Sequence, residues 1–139
     1  MSKIININEA TFPAEASSGI VDKSGVVQDA SNRGSVKLPA GSPEKTFVGV
    51  TTEAVSNANN VTVQTHGIGV IESDGSAVVN PGDWLVLVGT TGRAKAQAIA
   101  AVSANVYNLI GQAIGSRQVP AVAGELIEFL ISQSVVVAA

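Results

Sequence analysis

From Gly19 onward, apolar residues come in short groups cut by Gly, Asn, Asp and Pro, and the clearest spacing has a period of two. Val61-Thr62-Val63-Gln64-Thr65 alternates cleanly. It sets Val61, Val63 and Thr65 on one face of a strand and Thr62 and Gln64 on the other. Thr46 to Thr52 is a second β-branched run, with Gly49 inside it where a close backbone approach or a bulge is expected. Gly67 to Ile71 continues extended, and Asn108 to Gly115 has strand character as well. Ile20-Val21, Val26-Val27 and Val36-Lys37-Leu38 are shorter patches, the last stopped by the turn Pro39-Ala40-Gly41-Ser42-Pro43.

Two segments need more than alternation. Trp84 to Val88, fed by the compact turn Asn80-Pro81-Gly82-Asp83, is apolar on both faces; such a strand is either central or lies beneath a partner. Trp84 at its start is expected in the core, an interface anchor being the other use of such a residue. Toward the end, Leu126, Ile127, Leu130 and Ile131 also satisfy helical spacing, but continuity with the preceding strands favours a strand over 125–137. Residues 94–106 are Ala-rich and fit a short helix or a loop. Turn signals recurring every roughly 8–12 residues predict an all-β fold, a compact β-barrel or β-sandwich. The single β-rich domain is expected over 19–139. Residues 1–18 carry little pattern and read as an extended N-terminal arm that docks elsewhere or as a disordered terminus. The arm's apolar residues are Ile4, Ile5, Ile7 and Phe12.

Composition changes the picture at the surface. Of 139 residues, 45% are hydrophobic and only 14% charged, well below the roughly 25% of an average soluble protein. A surface this poor in charge is weakly repelled from its neighbours and suits a chain buried in an assembly. Aromatics are 4%, so Val, Ile, Leu and Ala must build the core. The eight Lys and Arg are scattered against eleven acids, for a net charge of −3, and no basic stripe marks a nucleic-acid partner. Cysteine is absent, which excludes disulfides and thiol chemistry. Neither a membrane span nor a signal peptide is expected, so the chain reads as soluble and made in the cytoplasm.

Candidate chemistry is thin. His66 is the only histidine; Asp74 or Asp83 as its acid and Ser73 or Ser76 as a nucleophile have no supporting spacing, and no Gly-x-Ser-x-Gly elbow occurs. One His without Cys cannot make the usual zinc set, and no calcium-loop pattern exists. Glu125 and Glu128, beside an apolar run, read as a solvated edge. Gly67-Ile68-Gly69 and Gly89-Thr90-Thr91-Gly92-Arg93 lack the lengths and partner residues of phosphate loops and are expected to be turns or bulges. No catalytic, cofactor-binding or metal residue is therefore assigned. The expectation is a protein that is not an enzyme, with a small hydrolase as the least favoured reading.

The order of the segments says more. Phe47-Val-Gly-Val-Thr-Thr-Glu-Ala-Val55 is followed by Val61-Thr-Val-Gln-Thr-His-Gly-Ile-Gly-Val70, then Val79-Asn-Pro-Gly-Asp-Trp-Leu-Val86, Gly92-Arg-Ala-Lys95 and Leu109-Ile-Gly-Gln-Ala-Ile114. The series, over about residues 19–132, resembles the capsid decoration (cement) proteins of tailed bacteriophages and prophages. The Ala-rich stretch and the first 18 residues depart from the pattern. The resemblance implies a structural protein on the outer capsid surface of a virion. It would clamp neighbouring subunits of the major capsid protein and associate with itself, as a homotrimer more than a dimer. Ile4, Ile5, Ile7 and Phe12 become candidate capsid or subunit contacts, with no nucleic acid, membrane or cofactor involved. The alternative is a phage tail or receptor-interaction module on the same scaffold.

Overall fold

Val61 and Val63 are fully buried while Thr62 and Gln64 are partly exposed, so the alternation is realised over residues 61–64; Thr65, expected on the buried face, lies just past the strand and is partly exposed. A computed structural model describes residues 9–14, 20–29, 34–39, 47–54, 60–98 and 106–137. Ten strands run in the order β1 (Glu9–Pro13), β2 (Gly25–Gln28), β3 (Val36–Lys37), β4 (Phe47–Thr51), β5 (Asn60–Gln64), β6 (Ile68–Glu72), β7 (Trp84–Val88), β8 (Arg93–Ala96), β9 (Val106–Ala113) and β10 (Leu126–Val137). The described residues contain no helix. The all-β expectation holds, and the ambiguous segment 126–131 is strand.

The halves of the chain make separate antiparallel sheets, ordered β1-β5-β4-β2-β3 and β6-β10-β9-β7-β8. The first encloses a cluster of Ile20, Val26, Val36, Val61 and Val63, with Phe12 and Val48 packed against it. Both expectations for Gly49 are met. Val26 pairs with Gly49 and Val27 with Phe47, leaving Val48 as the extra residue of a bulge. A Cβ on Gly49 would overlap the Gln64 carbonyl oxygen.

The second sheet curls into a half-barrel. Its outermost strands, β6 and β8, meet where Ser73 bridges Ala94 and the Asp74 N–H donates to the Ala94 carbonyl at 3.0 Å. Inward residues fill it: Ile71, Leu85, Ile127 and Phe129 are all 0% exposed. Each such side chain contributes about 1.5–3 kcal/mol through removal from water. Phe47 and Val50 of β4 join the same cluster, so one core spans the two sheets.

Where the sheets meet, backbone bonds link them: Gly25 N–H to the Gly92 carbonyl at 2.7 Å and Glu72 N–H to the Lys23 carbonyl at 3.0 Å. Thr51, 1% exposed, secures this junction. Its hydroxyl donates to the Val21 carbonyl at 2.7 Å and accepts from the Ser24 N–H at 3.1 Å. A Thr51→Val change keeps the shape but orphans both groups, and should lower unfolding free energy by about 1–3 kcal/mol in urea titrations.

Three expectations change. Glu9–Pro13, assigned by pattern to the arm, pairs with β5 in register Phe12↔Val61, and the following Ala14 is buried, so the domain includes these residues. Arg93–Ala96 enters the Ala-rich stretch as a strand, because Ala94, 0% exposed, is small enough for the seam between β8 and β6. Residues 99–105, the remainder of the helix candidate up to Val106, lie outside the described set. Finally, Leu85 takes the core position of its strand, while Trp84 is half-buried on the opposite face.

Candidate interaction surface

The outer face of the second sheet follows from its register. Ile68 lies opposite Leu130, Val70 opposite Glu128, and Glu72 opposite Leu126. Their neighbours along each strand, Gly69, Ile71, Ile127 and Phe129, point inward and are buried. Ile68 is 57% exposed, and Leu126 and Leu130 are 47% exposed each. Further across, Gln112 pairs with Trp84, so a row Ile68–Leu130–Gln112–Trp84 crosses four strands. Ile68 and Leu130 stand side by side as a small apolar patch, and Glu128, between Leu130 and Leu126 on the same face, separates it from Leu126. At the seam, the Arg93 Nε donates to the Glu72 Oε2 at 3.2 Å. Beside the patch is a shallow depression bordered by Lys23, Val70, Arg117, Glu125, Leu126 and Glu128.

The candidate chemical residues are not brought together. His66 is exposed in the turn between β5 and β6, its Nδ1 2.8 Å from the Thr65 hydroxyl. Asp74, Ser73 and Ser76 follow the far end of β6, five residues and about 17 Å along the strand. There Asp74 Oδ1 accepts from the Ser76 N–H at 3.0 Å and from its hydroxyl at 2.8 Å, while Ser73 is buried and its Oγ accepts from the Gly75 N–H at 3.0 Å. Asp83 Oδ2 accepts from the Asn80 N–H at 2.8 Å. These contacts build turns. The two glycine motifs are also turns or strand: Gly67, Gly89 and Gly92 have positive φ, and a strand, not a helix, follows each. Among the described residues no group of three His, Cys, Asp or Glu side chains could hold a metal, and no helix is long and apolar enough to cross a membrane.

Of the contact candidates, Ile4, Ile5 and Ile7 lie outside the described residues. Phe12 is half-buried and packs on the first cluster. The exposed residues Ile68, Leu126 and Leu130 were not singled out by sequence. The available signal was period-two alternation with Gly69, Ile71, Ile127 and Phe129, but runs that are apolar on both faces hide which side is inward.

No protein-family model matches the chain, and no curated protein does. Among solved structures, the chain is similar to the N base of the head fiber gp8.5 of bacteriophage phi29. The TM-score is 0.59 at 16% identity, over 89% of this chain and 94% of that one. At this identity the likeness concerns architecture: the chain has the same fold as a phage head-fiber base.

Proposed function

We propose that this chain is a non-enzymatic structural protein of a phage head, seated on the outer capsid surface and stabilising contacts between major capsid protein subunits. The observation that carries the reading is the fold shared with a head-fiber base over 89% of the chain. The ordered series of strand motifs resembling capsid decoration proteins points the same way, and so does a chain with only 14% charged residues. Physically, packaged DNA pushes the shell outward, and a protein bridging subunits adds contact that must break before they separate. A stable interface of standard size buries about 1,600 Å² in total, and many copies multiply the effect. The head, and not the tail, is the favoured seat because the similar structure belongs to a head fiber.

Co-sedimentation of the purified chain with DNA-filled heads, and separately with tails, of the phage that encodes it tests the proposal. Saturable binding to heads in many copies is expected; binding confined to tails would establish the tail or receptor module instead. The same assay tests the arm. Deleting residues 2–8 removes Ile4, Ile5 and Ile7 but leaves β1, and a thermal unfolding scan checks that the shortened chain stays folded. Head binding should weaken about tenfold or more if those residues are buried on the shell. Equal binding by the truncated chain removes the arm from the contact. Deleting residues 2–14 strips β1 and Phe12 from the first cluster and should lower stability whether or not heads are present.

A further inference from the structure

We infer that the N-terminal arm of this chain docks back onto its own domain, with Ile7 against Ile68, Ile5 against Leu130 and Lys3 beside Glu128. Docking of this kind occurs in the free protein and is tested without heads, so its failure leaves the proposed function untouched.

The arm leaves the domain beside this face. β1 starts at Glu9, opposite Gln64, the last residue of β5. The two strands are antiparallel, so the chain before Glu9 heads past Gln64 toward the turn that opens β6. Gln64 spans that turn: its Nε2 donates to the His66 carbonyl at 3.0 Å and to the Ile68 carbonyl at 2.6 Å. Paired Cα atoms lie about 5 Å apart, and four extended residues cover about 13 Å. Ile7 and Ile5, a few residues before Glu9, are therefore within reach of the Ile68 end of the outer face.

The order of residues on the face matches the order along the arm. Ile68, 57% exposed, lies beside Leu130, 47% exposed, and exposed Glu128 precedes Leu130 on the same side of β10. Two half-exposed side chains offer a small fraction of the roughly 1,200 Å² buried in the smaller stable interfaces, too little to seat a folded partner. A single short strand fits. Lys3, Ile5 and Ile7 recur with a period of two and share one face of an extended chain. Their spacing, about 6.6 Å per step, equals that between Leu130 and Glu128 along β10. Glu128 forms no ion pair among the described residues, and Lys3 is the basic side chain of the arm. Ile4 falls on the outward side, where it is available to the shell contact tested above. Because arm and face belong to one chain, weak contacts suffice to hold them together.

The chain has no cysteine, so disulfide trapping reads the docking directly. Ile5→Cys with Leu130→Cys, treated with oxidised glutathione, should close within one chain, since the bond needs Cβ atoms about 3.5–4.5 Å apart. Non-reducing electrophoresis should show a monomer-sized product. Its formation should be about tenfold or more faster than for Ile5→Cys with Ser76→Cys, an exposed site past the far end of β6. Adding Glu128→Lys should slow closure at Leu130 about two- to fivefold, as for loss of an exposed ion pair, and adding Lys3→Glu as well should restore it. Thermal unfolding of each reduced variant checks that the domain is intact. Equal closure rates at Leu130 and Ser76 overturn the inference, and a rate indifferent to both charge reversals overturns its register. Cross-linking between chains also overturns it, and would give the face to the arm of a neighbouring copy.

Discussion

Phe129→Ala should destabilise the protein by about 3–5 kcal/mol, the range for emptying a fully buried aromatic site. Phe129 is 0% exposed in the second strand of the half-barrel, among Ile71, Leu85 and Ile127 and in the cluster that β4 shares. Its ring also covers Gly111 of β9, where a Cβ would come within 2.7 Å of Phe129 Cδ2. With only five Phe, Tyr and Trp side chains in 139 residues, no neighbouring large group is placed to fill the void. At roughly 4 °C per kcal/mol for a chain of this size, the melting temperature should fall by about 12–20 °C in a calorimetric scan. A loss below about 1 kcal/mol would mean that the half-barrel is not packed around this ring.

Gly49→Val should cost about 3 kcal/mol, near the upper end for overpacking, for the opposite reason: excess volume. The added Cβ overlaps the Gln64 carbonyl oxygen and lies 2.8 Å from Val63 Cγ1 and 2.9 Å from the Gln64 carbonyl carbon. A backbone carbonyl cannot swing aside as a flexible side chain can, so β4 and β5 must separate where Val50 pairs with Gln64. Urea unfolding should show the loss, and amide exchange in β4 and β5 should quicken more than in β9 and β10. Wild-type stability in this variant would show that the two strands lie farther apart than described.

The residues that made strands legible were those whose neighbours differ from them. Val61 and Val63 alternate with Thr62 and Gln64, so both the element and its buried face follow from sequence. Gly49 was legible because a glycine inside a β-branched run has few uses other than a bulge or a close approach. β1 was not, because its sequence Glu-Ala-Thr-Phe-Pro has one large apolar residue and is held largely by backbone pairing with β5, which leaves little compositional trace. β8 was hidden for a related reason. Arg-Ala-Lys-Ala has helix-favouring residues, and pairing with β7 together with the tight seam against β6 overrides that preference.

The exposed apolar residues on the outer face of the second sheet are not legible in the sequence. Low charge carries the expectation of a chain that works by contact but attaches no position to it. Leu126 to Ile131 is apolar on both faces, however, and only the pairing of β10 with β6 and β9 decides that Ile127 and Phe129 are core while Leu126 and Leu130 face out. Trp84, a residue type common in cores, is half-buried because Leu85 holds the inward position beside Gly111. The absence of a sequence-family match alongside a fold match has the same origin: β scaffolds are set by alternation and turns, which many unrelated residue choices satisfy.

Electron cryo-microscopy of phage particles purified from the source of this chain would test the proposed head role. Under the proposed function, density fitting the two sheets is expected on the outer face of the head, in many copies that contact neighbouring capsid subunits. Particles whose heads lack this density, or carry the chain only on the tail, would contradict it.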